Sequence, residues 1–163
     1  MTKTAITAPP GEPYIDMERE FDAPAELVHR AYVDPDLVTQ WLGPRKYEMV
    51  IERWDARDGG SYRYFHRDEA NSYGFRGVFH SMAADNMVQT FEFDGAPGHV
   101  SLDTQKLEDI GSNRSRLTSR TVFQSVEARD AMAESGMAEG VEDGYNRLDD
   151  LLEKLKAPVG VSR

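Results

Sequence analysis

The sequence predicts an α+β domain in which a seven-stranded antiparallel sheet is covered on one face by a long C-terminal helix. Three observations support this fold class. The apolar period changes from about four to two at Lys46, turn signals separate the alternating runs that follow, and the C-terminal segment returns to helical spacing. A sheet with one apolar face needs a cover, and the C-terminal helix is the one large element available for it.

The chain before Lys46 predicts one strand and two short helices. Residues 1–13 are rich in Thr, Ala and Pro and are expected to form a flexible tail. A first strand is predicted for the alternating segment YIDMEREF. A helix should begin at DAPAELVHRAYV, because Pro24 is tolerated in the first helical turn and Glu26 complements the positive helix end. A second should begin at DPDLVTQWL and end at Gly43 and Pro44.

Six further strands are expected after Lys46, paired as antiparallel hairpins. The turns between them are RDGG, RDEANS, AADN, DGAPG and EDIGSN. Gly77 inside a strand is typical of a bulge or a kink. The residues expected on the apolar face are Tyr47, Met49, Ile51, Tyr73, Phe75, Gly77, Phe79, Met87, Phe91, Phe93, Val100, Leu102, Leu117, Ser119, Thr121 and Phe123. The opposite face carries more charged residues, so we expect it to face water.

The C-terminal helix is predicted over residues 126–156, and glycines recur along its first half. Apolar residues return at spacings of three and four from Met137 to Leu155, as one buried stripe should. Gly136, Gly140 and Gly144 lie four residues apart, although each glycine inside a helix costs about 0.5–1 kcal/mol relative to alanine. Three explanations stay open: room for a ligand, close packing of the helix, or a side that faces solvent.

The composition narrows the function classes. The 163 residues suffice for a single domain, which we place at 14–157, with a short tail at 158–163. A net charge of −10 and a pI of about 4.8 do not favour binding of nucleic acid. No segment is long enough to span a membrane, and there is no cysteine for disulfides. The N-terminal segment lacks the apolar centre of a signal peptide, so a cytoplasmic location is expected.

No motif for catalysis, metal binding or cofactor binding stands out. The histidines are widely spaced and are expected at surface or structural positions; they are His29, His66, His80 and His99. Ser119 and Thr121 should point inward, but no matched base accompanies them. The sequence therefore assigns no catalytic residue, no metal and no cofactor.

Four segments resemble the motifs of a known superfamily. They are FDAPAELVHRAYVDPDLVTQWLGP, DARDGGSYRY, GFRGVFHSM and DGYNRLDDLLEKL, and together they extend from about residue 14 to 156. The superfamily is the START-like one (SRPBCC, helix-grip fold), and within it the activator of Hsp90 ATPase homologue family. The resemblance implies a strongly curved sheet wrapped around the long helix, with a cavity between them. Superfamily members typically hold apolar molecules there, and some are cyclases or hydrolases.

The favoured hypothesis is a protein that binds a small apolar or aromatic molecule between sheet and helix. The expected ligand-binding residues are Trp41, Met49, Tyr62, Tyr64, Phe75, Phe79, Phe91, Phe93, Met137, Gly140, Val141 and Tyr145. Trp41 either closes the pocket mouth or fixes the helices to the sheet.

Two other function classes stay open. One is a cyclase or hydrolase acting on a polyketide-like substrate. The other is a protein-interaction module related to the Hsp90 activators, whose separate N-terminal domain has no room in 163 residues. The protein is expected to be a monomer or a homodimer.

Overall fold

The computed structural model describes residues 3–157, in which one antiparallel sheet is combined with four helices. The strands are β1 (Ala5–Thr7), β2 (Tyr14–Phe21), β3 (Glu48–Trp54), β4 (Ser61–Arg67), β5 (Ser72–Ala83), β6 (Asn86–Phe93), β7 (Val100–Gly111) and β8 (Arg114–Val122). The helices are α1 (Ala25–Val33), α2 (Pro35–Val38), α3 (Val126–Ala133) and α4 (Met137–Lys156). The predicted α+β class is confirmed, as is the order of one strand, two short helices and six further strands between residues 14 and 122.

The sheet has eight strands, not the seven predicted, in the order β1-β2-β8-β7-β6-β5-β4-β3. The additional strand β1 lies inside the segment 1–13 that was expected to be a tail, and Ile6 pairs with Met17. Three residues are too few to show alternation, so the pattern could not reveal it. The expected tail at 158–163 lies outside the described residues.

A buried arginine connects β1 and β2 to α4. The Arg19 side chain of β2 is inaccessible to solvent and donates to Glu142 at 2.5 Å and to Asp149 at 2.7 Å. The Thr4 hydroxyl donates to the same Glu142 carboxylate at 2.8 Å. A buried charge needs such partners to offset its loss of hydration. This network therefore explains why the chain just before β1 is held against the domain.

The two short helices begin at the Pro residues that the sequence indicated. Pro24 precedes α1, and the backbone N–H of Ala25 donates to Asp109 of β7 at 2.8 Å. Asp34 caps α2 by accepting from the backbone of Asp36. Asp34-Pro35 cannot continue α1, because the residue before a proline is restricted to extended conformations. The chain therefore turns between the two helices.

The predicted C-terminal helix is interrupted, which corrects the single helix expected over 126–156. Helix α3 ends at Ala133 and α4 begins at Met137. Gly136 lies between them with a φ of +84°, a left-handed conformation that favours glycine. The main core lies under the second half of α4, where Leu148 and Leu152 belong to one buried cluster with Phe21 and Leu117. No helix within residues 3–157 is long and apolar enough to cross a membrane.

Bulges interrupt three strand pairs and redirect side chains. One lies between Ile51 and Arg53 of β3, and it brings Trp54 opposite Tyr62. Another lies between Phe79 and Ser81 of β5, two residues beyond the position expected from Gly77. Gly77 instead allows a close approach of the Thr90 carbonyl and the Tyr62 side chain, which a Cβ would meet. The third is in the β7–β8 pair. Bulges increase local twist and bend the sheet.

Candidate ligand-binding site

A cavity of about 450 Å³ lies between the inner face of the sheet and the helices. Its lining comes from strands β2 to β8, from α1, α2 and the loop between α2 and β3, and from α3 and the first half of α4. Known small-molecule sites have volumes of about 300–1,000 Å³ and are mostly apolar. The cavity is therefore large enough for a ligand.

The sheet side of the cavity is a connected series of aromatic rings. Tyr62 and Tyr64 stack with centroids 5.8 Å apart, Tyr64 and Phe75 at 5.2 Å, and Phe75 and Phe91 at 5.4 Å. The Tyr62 hydroxyl donates to the Thr90 carbonyl at 2.5 Å, and burial raises the pKa of Tyr62 and of Tyr64 well above the ordinary range. These tyrosines are therefore neutral hydrogen-bonding groups on an apolar wall.

The helix side is fixed around Trp41. Its Nε1 donates to the Ala31 carbonyl at 2.9 Å, and its ring stacks on Tyr145 of α4 at 5.9 Å. The hydroxyls of Tyr145 and Tyr32 are 3.3 Å apart. Trp41 is 2% exposed, so it joins α1, the following loop and α4 while one part of its surface borders the cavity. Of the two roles expected for Trp41, this geometry matches fixation.

A polar stripe crosses the aromatic wall on β6, β7 and β8. Its members all line the cavity; they are Gln89, Ser101, Asp103, Gln105, Ser119 and Thr121. Asp103 pairs with Gln89 on one side and with Thr121 on the other, and Gln105 pairs with Ser119. The hydroxyl of Ser119 is buried without a hydrogen-bond partner in the described structure. The stripe therefore offers unused hydrogen-bonding capacity inside the cavity.

Asp103 is the acidic centre of the polar stripe. The Thr121 hydroxyl donates to its Oδ1 at 2.6 Å. Burial raises the pKa of the Asp103 carboxyl to about 6, and the hydrogen bond from Thr121 opposes that rise. Its negative charge in turn raises the pKa of Tyr62, Tyr64 and Tyr145. The carboxylate is thus close enough to several tyrosines to act on them electrostatically.

His66 borders the cavity and is buried, so of the surface and structural positions expected for the histidines it does not occupy a surface one. The ring is 8% exposed, stacks with Tyr47 at 6.3 Å and meets Phe75 at 5.3 Å. Burial lowers the pKa of His66, and among the described residues its Nε2 has no hydrogen-bond partner. The imidazole is therefore a second polar group available to a ligand.

The sequence matches the family described as Activator of Hsp90 ATPase homolog 1-like protein over residues 22–153. The chain belongs to this family. Solved structures of the same helix-grip type include a protein from Rhodobacter sphaeroides, which is 25% identical with a TM-score of 0.84 over 93% of this chain and 99% of its own. A protein from Arthrobacter aurescens is 25% identical with a TM-score of 0.82, over 98% of this chain and 97% of its own. No curated protein matches the sequence.

In this member of the Hsp90-activator homologue family, most of the predicted ligand-binding residues line the cavity. They are Trp41, Tyr62, Tyr64, Phe75, Phe91, Met137, Gly140, Val141 and Tyr145. Met49, Phe79 and Phe93 do not line it. Phe79 is buried against Trp54 and Tyr62, and the Phe93 ring stacks on Phe75. Met49 is buried on β3, opposite His66. The binding role itself stays a prediction for all of them.

The alternation predicted for β7 is wrong by one residue. Leu102 was expected inside but is 43% exposed, while its neighbours Ser101 and Asp103 line the cavity. The inner face of β7 carries Ser101, Asp103 and Gln105 beside the cavity, and only farther along the strand does it carry Leu107, which is buried in the core. The β7–β8 hairpin turns at Ser112 and Asn113, which both have positive φ, as a two-residue turn of type I′ requires. The register shift between Asp109 and Gly111, next to that turn, then brings Asp103 opposite Thr121.

The three repeated glycines have three different environments. Gly136 is the left-handed residue between α3 and α4. A Cβ on Gly140 would lie 3.4 Å from Pro44, an ordinary contact beside the cavity. A Cβ on Gly144 would lie 3.2 Å from the Trp41 carbonyl and 3.3 Å from the Gly43 nitrogen, so α4 packs closely on that loop. The glycines thus combine helix interruption, cavity lining and close packing.

Proposed function

We propose that this protein binds a small apolar or aromatic molecule in the cavity between the sheet and α4. The observation that carries the proposal is a volume of about 450 Å³ bordered by stacked aromatic rings. A two-ring ligand that loses about 200 Å² of apolar surface to this wall would gain about 5 kcal/mol before association costs. Family membership supports the proposal only at the level of the fold.

The polar stripe supports selective rather than indiscriminate binding. Gln89, Ser101, Gln105 and Ser119 present amide and hydroxyl groups to a volume that is otherwise apolar. A ligand that satisfies them would be oriented, whereas a plain hydrocarbon would leave them without partners. We therefore expect ligands with an apolar body and one polar end.

Native mass spectrometry of the protein purified from its own host tests the proposal, together with a thermal-shift screen of fatty acids, flavonoids and polyketide-like aromatics. A co-purified apolar molecule, or a melting temperature that rises with the logarithm of ligand concentration, is the expected result. Gly140→Leu should fill part of the cavity and weaken that binding, while Gly140→Ala is the matched control. The absence of any bound species and of any thermal shift would refute the proposal.

Asp103 favours a second candidate, an enzyme that uses general acid–base catalysis on a polyketide-like substrate. A carboxyl with a pKa of about 6 can give or take a proton near neutral pH, and Thr121 holds it in one orientation. The test is turnover of a bound ligand, followed by mass spectrometry. A ligand recovered unchanged after prolonged incubation, from wild type and Asp103→Asn alike, would leave binding as the function.

Three further predictions concern a protein-interaction role, the location in the cell and the oligomeric state. The protein-interaction alternative predicted a filled cavity, so a volume of about 450 Å³ argues against it. A cytoplasmic location and a monomeric or homodimeric state stay predictions. Size-exclusion chromatography with light scattering would measure the oligomeric state directly.

A further inference from the structure

We infer that the ligand carries a protonated amine, and that this cation binds the Asp103 carboxylate while an aromatic or aliphatic body fills the rest of the cavity. The inference deepens the proposed function and rests on it. It follows from the charges that line the cavity, from the partners of Asp103 and from the aromatic groups around it.

The cavity lining carries a negative charge with no matching cation. Asp103 is its one carboxylate, and no lysine or arginine of the described residues lines the cavity. The only other lining group that could carry a positive charge near neutral pH is His66, whose pKa is lowered by burial. Asp103 therefore differs from the buried Arg19, whose two carboxylate partners come from α4.

The hydrogen bond to Asp103 comes from a neutral group. Thr121 donates to Oδ1, and no hydrogen bond to Oδ2 is found in the described structure. With a pKa of about 6, about nine carboxyls in ten are ionised at pH 7. A buried ionised carboxylate is unfavourable unless a cation or several donors offset its loss of hydration. A ligand ammonium group would supply both the charge and the hydrogen bonds.

The groups that face Asp103 suit a cation. Tyr32 of α1, Tyr62 and Tyr64 of β4 and Tyr145 of α4 are all affected by its charge, and the pKa of each is raised, so they stay neutral. Gln89 and Thr121, its partners on the neighbouring strands, are uncharged. Aromatic faces attract ammonium groups, more strongly where water is excluded. An anionic ligand would meet only repulsion at this position.

Isothermal titration calorimetry with three matched probes tests the inference at pH 7.5 and 150 mM salt. The probes are 2-(1-naphthyl)ethylamine, 2-(1-naphthyl)ethanol and 1-naphthylacetate, which share a ring system and differ in the charge of the polar end. The wild-type protein should bind the amine at least tenfold more tightly than the alcohol, since hydrogen bonds to charged groups are the stronger ones. The acetate should bind most weakly.

Two variants separate the cavity charge from the net negative charge of the whole chain. Asp103→Asn should bring the dissociation constant of the amine to within about threefold of that of the alcohol. Glu108→Gln removes a carboxylate from the outer face of the same strand, where it pairs with Arg116 at 3.4 Å, and should leave the preference for the amine intact.

The outcomes are distinguishable. Equal binding of amine and alcohol by wild type would overturn the inference and leave the proposed function standing. The same reduction in Glu108→Gln and Asp103→Asn would overturn it too, because the preference would then come from general surface charge. If the wild-type protein bound none of the three probes, the inference would be overturned and the proposed function would lose support.

Discussion

Replacing Asp103 with Asn should stabilise the protein at neutral pH and leave its stability almost unchanged near pH 4. Burial raises the Asp103 pKa from 3.8 to about 6 in the folded state, whereas in the unfolded chain it returns to the ordinary value. The charged form is therefore disfavoured by folding, and stability is lost as pH rises from about 4 to about 6. Each pKa unit corresponds to 1.36 kcal/mol, so the full cost above pH 6 is about 3 kcal/mol.

Asn cannot ionise, and its side-chain oxygen can still accept the hydrogen bond from Thr121. Urea unfolding of wild type and Asp103→Asn at pH 4.5, 5.5, 6.5 and 7.5 would measure the difference between them. The variant should gain little at pH 4.5 and up to about 3 kcal/mol at pH 7.5. Glu108→Gln, an exposed neighbour on β7, should show no such rise. A difference that is constant with pH, or that favours wild type at pH 7.5, would refute the reasoning.

Three further variants test the packing around α4. Gly140→Ala should stabilise the protein by about 0.8–1 kcal/mol in thermal unfolding, because its Cβ meets only Pro44 at ordinary distance. Gly144→Ala should lack that gain, and its free energy of unfolding should be at least 1 kcal/mol below that of Gly140→Ala, because its Cβ would meet the backbone of the loop before β3. Equal stability of the two variants would contradict this close contact. Arg19→Met should lower the free energy of unfolding in urea by about 3 kcal/mol or more, since Glu142 and Asp149 would both lose their arginine partner. A neutral result would show that the charge network is dispensable.

The sequence predicted the fold well because periodicity and turn chemistry act locally. The change of period at Lys46 and the Pro residues that start α1 and α2 involve only neighbouring residues. The features that were missed depend on distant ones. Strand β1 is held through Thr4 by a carboxylate on α4, 138 residues away in sequence. The break at Gly136 was hidden because glycine alone does not reveal the sign of its φ.

The candidate site was predicted only in its apolar part, for a physical reason. Aromatic residues such as Tyr64 and Phe75 were placed correctly because apolar side chains usually turn inward. The same rule placed Leu102 inside and Asp103 outside, the reverse of the structure. Over residues 101–105 of β7 the inner face borders the cavity, whereas Leu107 farther along is packed in the core, so the rule fails where a polar lining replaces core packing. The inside–outside assignment is therefore wrong on the strand that carries Asp103.

Several features that cost stability border the same cavity. Asp103 is ionised against the effect of burial, the Ser119 hydroxyl has no partner in the described structure, and Gly140 weakens the helix beside it. Under the second half of α4, by contrast, Leu148 and Leu152 are fully packed. Cavities left by imperfect packing are lined by apolar groups and have no reason to collect polar ones. A site that binds a ligand with a polar end needs polar groups in its lining, because the ligand offsets their cost in stability when it binds.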